Sequence, residues 1–242
     1  MSRSLIALVL LVFSPWLAAA EARVAVAANF AAPMKVLAAR FQEESGHRLS
    51  LSFGASGQLF AQIVHGAPFQ VFLSADEDKP RRLEARGLAV PGSRFTYAVG
   101  RLVLWSPRAG DDPRARLTAG DFRRLALANP KLAPYGAAAR DWLQATGLWA
   151  RLRGRLAVGQ SVTQALQYAR AGQADLALVA ASQVRDAGGT AWTVPADRHR
   201  ALRQDAVLLA RGGDDTAARA LLRYLRSPAA RSLIADFGYA LP

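Results

Sequence analysis

The stretch "RLSLSFGASGQLFAQIVHGAPFQVFLSAD", Arg48 to Asp76, decides the fold class. Its opening, "RLSLSF", alternates polar and apolar residues, the period of a half-buried strand. "GQLFAQIVHG" then carries apolar residues at helical spacing, and "FQVFLSA" returns to a short apolar run. Strand, helix and strand in succession, with short turns between them, describe a crossover between parallel strands. Upstream, "RVAVAA" (Arg23 to Ala28) is another apolar strand. It is followed by the helix "PMKVLAARFQEESG", with Pro33 near its start and Gly46 at its end. Downstream, "KPRRLEARG" supplies a third helix. The βαβαβα order predicts an α/β layer with a mainly parallel sheet.

The rest of the chain repeats the theme. "FTYAVGRLVLWSP" is a long β run placed to carry the chain out of the first lobe. After the loop "RAGDDPRA" and a helical turn, "TAGDF", come the strand "RLALA" and the helix of "NPKLAPYGAAARDWLQATG". Strand "RLAVG", helix "SVTQALQYARAG" and strand "DLALVAA" follow. "ALRQDAVLLA" is a β run that can return to the first lobe, ahead of two closing helices. The expected division is residues 21–101 plus 204–242 for one lobe and 102–203 for the other.

Residues 1–20 read differently. Arg3, the apolar run "LIALVLLVF", a Ser14-Pro15 break and the small residues "LAAA" form the pattern of a secretory signal peptide cut after Ala20. The apolar run is far shorter than the roughly 20 residues a membrane span needs. With no cysteine in 242 residues, disulfides, thiol catalysis and a lipid-bearing cysteine are all excluded. A free periplasmic monomer is the expectation. The net charge is +13, but the arginines are scattered, as in "RRLEAR" and "RLRGR", without interleaved aromatics or a nucleic-acid motif. A solvated basic surface that mildly favours small anions is expected, rather than a nucleic-acid partner.

Open α/β sheets bind ligands beyond the carboxyl ends of their strands. Four such ends run into helices: "AANF", "FGASGQ", "NPKLAPYGAA" and "VGQSVTQ". Taken singly, Asn29, Ser56 and Ser161 are good helix N-caps, Tyr135 a half-buried aromatic and Val162 a core residue. Taken together, the four turns fall on equivalent strand ends, two from each lobe, where they could meet across a cleft. Asn29 offers an amide N–H₂, Ser56 and Tyr135 offer hydroxyls, and helix starts offer unpaired N–H groups. None of the four contains Asp, Glu or His, and Lys131 is the one charge among them. Donors without acceptors suit a fully deprotonated oxyanion, whereas phosphate keeps a proton that would need an acceptor.

A serine hydrolase is the remote alternative. "GASGQ" nearly matches the nucleophile elbow G-x-S-x-G, yet Gln58 stands where the second glycine should be. None of His47, His65 and His199 falls at an obvious strand end. A metal held directly by side chains is not expected either. The histidines are far apart, and "SADED" (Ser74 to Asp78) reads as an acidic loop.

"VAVAANFAAPMKVLAARFQEESGH", "FGASGQLFAQIVHGAPFQVFLSAD", "NPKLAPYGAAARDWL" and "QSVTQAL" resemble the motifs of periplasmic molybdate-binding proteins of the ModA type, over essentially the whole mature chain. The resemblance implies a class II periplasmic binding protein fold, with two α/β lobes closing on one oxyanion, no enzymatic step and no cofactor. The implied ligand is molybdate or tungstate, with another tetrahedral oxyanion such as sulfate as the alternative, and the implied partner is an inner-membrane ABC permease. Carried over by position, Asn29 and Ser56 contact the ligand from the first lobe. Tyr135 and Val162 contact it from the second, Val162 through its N–H, and Ala28 and Gly57 add backbone contacts. Two departures stand out: Asn29 where many relatives have Ser, and Ala180 where many have a binding Tyr, whose hydroxyl Tyr135 would replace.

Overall fold

A computed structural model describes residues 20–242; the expected signal peptide, apart from Ala20, lies outside them. In chain order, β1 (Glu21–Ala27) leads through a 3-10 turn (Ala28–Phe30) into α1 (Ala31–Ser45). Then come β2 (Arg48–Gly54), α2 (Ser56–Val64), β3 (Val71–Leu73), α3 (Asp78–Ala85) and β4 (Phe95–Val99). The second series is β5 (Leu102–Ser106), α4 (Pro113–Ala119), β6 (Leu125–Ala128), α5 (Pro134–Ala145), α6 (Leu148–Leu152), β7 (Leu156–Gly159), α7 (Val162–Arg170), β8 (Leu176–Ala180), α8 (Ala181–Val184) and β9 (Thr190–Thr193). β10 (Arg203–Leu208), α9 (Thr216–Tyr224) and α10 (Pro228–Asp236) close the chain.

Two five-stranded sheets result, ordered β2-β1-β3-β10-β4 and β7-β6-β8-β5-β9. In each, three parallel strands are followed by an antiparallel strand: β10 in the first sheet and β5 in the second. The β run expected across "FTYAVGRLVLWSP" is two strands, because the chain changes sheets at Gly100-Arg101. β10 makes the return journey. The expected loop "RAGDDPRA" also turns helical earlier than its composition suggests. Asp112 caps α4 by accepting from the N–H groups of Arg114 and Ala115, and Pro113 takes the first helical position. β9 was not foreseen; its short "TAWT" pairs along β5 as an edge strand.

Packing follows the periodicities. On α1, Met34, Leu37 and Phe41 recur on one face and are buried against the first sheet. Gly46 ends that helix with φ 73°, a left-handed turn that glycine adopts without a Cβ penalty. On α2, Leu59 and Ile63 lie one turn apart and pack with Ala25, Phe72 and Val207 on the other face of the sheet. The second sheet has its own core around Leu104, Leu127, Leu166 and Leu178. Each fully buried leucine contributes about 1.5–3 kcal/mol relative to exposure. These cores hold the strand ends, and therefore the four helix starts, in fixed positions.

Candidate oxyanion site

The four turns meet. A small cavity is lined by Ala27 to Asn29 at the end of β1, Gly54 to Ser56 at the end of β2, Ala133 to Tyr135 after β6, and Val162 after β7, with Ala75 beyond β3. β1 and β2 are neighbours in one sheet, as β6 and β7 are in the other. The loops that face each other therefore occupy equivalent places in two similar layers. A wider groove of ≈ 890 Å³ runs past Arg101, Trp105, Arg185 and Phe237. Size does not make it the better candidate: its two arginines are exposed and Arg185 is held by Asp186 at 2.7 Å.

Ser56 is 1% exposed and is the first residue of α2, so it does not cap that helix. Its Oγ instead accepts the N–H of Ala75 at 2.9 Å. One lone pair is thus spent on the protein, while the hydroxyl hydrogen is left to donate. Tyr135 is built the same way. Its oxygen accepts from Gln204 Nε2 at 3.3 Å, leaving its own hydrogen without a protein acceptor among the described residues. Pro134 occupies the first position of α5, and Gly136 lets the helix press against β6; a Cβ there would sit 2.2 Å from the Ala128 carbonyl oxygen. Ser161 does cap α7, accepting from Gln164 N at 3.2 Å, and leaves Val162 as the first residue of the helix.

The N–H groups of Ser56, Tyr135 and Val162 lie in first helical turns, where no earlier helical carbonyl can receive them. No other protein acceptor takes them among the described residues. Three helix starts thus bring their positive ends to one cavity. No charged side chain lines it. Burial, with the neighbouring Tyr239 second, pushes the Tyr135 hydroxyl well above its ordinary pKa, so it keeps its proton and its capacity to donate.

Two of the expected residues have their polar hydrogens engaged by the protein. Asn29 lines the cavity, but its amide hydrogens point elsewhere: Nδ2 donates to Gln204 Oε1 at 2.9 Å and to the Tyr239 hydroxyl at 3.0 Å. It is also not a helix cap, since it sits inside the 3-10 turn without a capping bond. Gly57 is not among the lining residues, and its N–H donates to the Leu132 carbonyl at 2.8 Å. That bond joins α2 of the first sheet to the loop after β6 of the second. Thr163 Oγ1 to the Ala28 carbonyl at 3.1 Å makes a similar link, and so does Ser182 Oγ to the Tyr239 hydroxyl at 2.9 Å. Ala28 lines the cavity, while its carbonyl is spent on Thr163. Ala180 is fully buried at the end of β8 and carries no polar group toward the site.

Sequence reasoning missed Gln204, Tyr239 and Tyr97, whose polar ends surround Asn29 and Tyr135. A signal was available for one of them. Gln204-Asp205 interrupts the otherwise apolar run of β10, and both are fully buried. As for a hydrolase, Ser56 has Ala75 N as its side-chain partner, and no imidazole is nearby in the fold. His47 precedes β2 at the strand's far end, His65 ends α2, and His199 lies half-buried on the loop between β9 and β10.

This is the architecture of a binding protein that closes two α/β layers on a small ligand. The chain belongs to the bacterial extracellular solute-binding protein family, whose model matches residues 22–240. Its relatives are more particular. The chain is 49% identical over 229 residues to the molybdate-binding protein ModA of Azotobacter vinelandii, covering 92% of this chain and 91% of that one. It is 48% identical over 225 residues to ModA of Rhodobacter capsulatus, covering 92% and 89%. Among solved structures, the periplasmic molybdate-binding protein of Azotobacter vinelandii superposes with a TM-score of 0.87 at 38% identity, covering 91% of this chain and 99% of that chain. These matches bear out the resemblance read from the motifs and the class II periplasmic binding protein fold it implied.

Proposed function

We propose that the protein binds molybdate, and tungstate with it, in the periplasm and delivers the anion to an inner-membrane ABC permease without a chemical step. The observation that carries this reading is the sense of the hydrogen bonds around the cavity. Ser56 and Tyr135 each accept from a protein N–H, so their own hydrogens remain for a ligand, beside the unpaired N–H groups of Ser56, Tyr135 and Val162. Five free donors gathered at one cavity without a charged side chain suit a dianion with four acceptor oxygens. Each hydrogen bond to a charged group contributes roughly 1.5–3 kcal/mol, so five such donors can offset the desolvation of a dianion.

In this reading Asn29 and Ala28 contribute through their main chain, and Gly57 acts across the cleft rather than on the anion. The lobes are residues 21–101 with 204–242, and residues 102–203. Export rests on the N-terminal pattern, and no described helix is long and apolar enough to cross a membrane. Relatives named for molybdate, at nearly half identity, favour that anion over sulfate. Sulfate presents the same acceptors on shorter bonds, so cavity size decides between them. Isothermal titration with molybdate, tungstate and sulfate tests the reading, with the first two expected to bind far more tightly. Sulfate binding tighter than molybdate would overturn it.

A further inference from the structure

Tyr135 could in principle either donate to a ligand or accept from one, because a hydroxyl does both. What removes the choice is a buried chain of hydrogen bonds behind it. Ser182 Oγ donates to the Tyr239 hydroxyl at 2.9 Å, and Tyr239 spends its own hydrogen on the Asn29 carbonyl at 2.9 Å. The Tyr239 oxygen therefore faces Asn29 Nδ2 as an acceptor, at 3.0 Å, which sets the Asn29 amide the way it stands. The second Nδ2 hydrogen goes to Gln204 Oε1 at 2.9 Å, where the Tyr97 hydroxyl also approaches at 3.1 Å. With its oxygen claimed from that side, Gln204 turns Nε2 toward the Tyr135 oxygen at 3.3 Å.

The backbone closes the other side. A Cβ on Gly100 would lie 2.0 Å from the Tyr135 hydroxyl and 2.7 Å from Gln204 Nε2. Gly100, at the point where the chain leaves the first sheet for the second, is thus the wall against which this hydrogen bond is packed. Gln204 is itself fully buried, on the strand that returns from the second sheet to the first. Between the amide and the wall, the hydroxyl hydrogen of Tyr135 has the cavity left to point into.

We propose that Gln204 is a positioning and specificity-determining residue of the anion site, holding the Tyr135 hydroxyl as an obligate donor. An obligate donor cannot receive the proton that hydrogen phosphate carries, so Gln204 raises the preference for fully deprotonated oxyanions over hydrogen phosphate. This rests on the proposed oxyanion site. It adds a residue that never touches the ligand and gives the second lobe's hydroxyl a sense set from the first.

A double-mutant cycle on the full mature chain tests it, using wild type, Gln204→Met, Tyr135→Phe and the pair, titrated with sodium molybdate and with inorganic phosphate. Gln204→Met is expected to weaken molybdate binding roughly tenfold, one charged hydrogen bond's worth, while phosphate is affected less or gains. In the Tyr135→Phe background the same change should cost less than about twofold, since its route to the ligand is gone. Equal losses in both backgrounds, or an unchanged molybdate-to-phosphate ratio, would overturn the inference. Gln204→Glu keeps the acceptor end and guards against a misfolded methionine variant. Its molybdate affinity should be poor at pH 8 and recover toward pH 6 as the buried carboxyl takes a proton, and a pH-independent loss would count against the proposal. Wild type that binds no oxyanion would sink the functional reading itself. Wild type that binds molybdate with an additive cycle sinks only the role of Gln204.

Discussion

Gly57→Ala gives a direct measure of how far anion binding depends on contact between the two lobes. Gly57 does not have a positive φ, and it lies in the first turn of α2, so an alanine fits its backbone. The helix itself would gain, since alanine is favoured over glycine by about 1 kcal/mol in helix interiors. Across the cleft the outcome is opposite. The new Cβ would stand 2.7 Å from the Leu132 carbonyl oxygen and 3.1 Å from its Cα, both backbone atoms that cannot swing aside. Restoring ordinary contact near 3.4 Å moves the two segments apart by about 0.7 Å, which stretches the 2.8 Å Gly57 N–H to Leu132 bond beyond useful length. That bond is worth roughly 0.5–1.5 kcal/mol, and residual overlap adds a similar amount, so the closed arrangement loses about 1–3 kcal/mol. If the anion touches both lobes as proposed, the loss passes to its affinity, a weakening of about 5–150-fold. Calorimetric titration with molybdate reads this directly, and a thermal melt of the ligand-free protein is expected to be unchanged or slightly raised. Affinity within twofold of wild type would refute the reasoning, since the Gly57–Leu132 contact would then be no part of the bound state.

Other outcomes follow from the same geometry. Ser56→Ala removes one donor and strands the Ala75 N–H, so titration should show molybdate binding weaker by roughly 1–3 kcal/mol, with a modest fall in melting temperature. Asp205→Ala removes the carboxylate that Arg94 and Thr96 grip at 2.6 and 2.7 Å from a fully buried position; denaturant unfolding should show a loss of roughly 1.5–3 kcal/mol. Burial raises the hydroxyls of Tyr97 and Tyr135 well above their ordinary pKa, and that of Tyr239 to about 12. Folded values above the unfolded one near 10 mean the folded state holds these protons more tightly. Their contribution is therefore complete below about pH 10 and is lost as pH rises toward 12, which a melting series across that range would show. Asp141 behaves in the reverse sense. Burial raises its carboxyl, but the hydrogen bonds and charge of Arg200, 2.5 Å away, outweigh this and hold it below the usual range, so stability falls as acid protonates it; Asp141→Asn should flatten that acid limb.

The alternation of strands and helices was legible because it is written locally. Apolar residues recur at the period of each element, and Pro134, Gly46 and Ser161 mark helix ends by backbone chemistry that needs no distant partner. The convergence of the four turns was legible too, since each follows a parallel strand and chain order alone assigns them to matching places. Even the sheet change at Gly100 left a trace, in a β run too long for one strand.

Tertiary structure decided which way the hydrogens point. The side chains of Asn29, Ser56 and Tyr135 can donate and can also accept, and nothing near them in sequence chooses. Their partners lie far off: Asn29 meets Gln204 and Tyr239 across 175 and 210 residues, Tyr135 meets Gln204 across 69, and Ser56 meets Ala75 across 19. Those partners engage both amide hydrogens of Asn29 and leave the hydroxyl hydrogens of Ser56 and Tyr135 without a protein acceptor among the described residues. A sequence lists which polar groups exist. Their sense is fixed by balancing donors against acceptors in a buried space, and that balance exists once the two lobes are folded against each other.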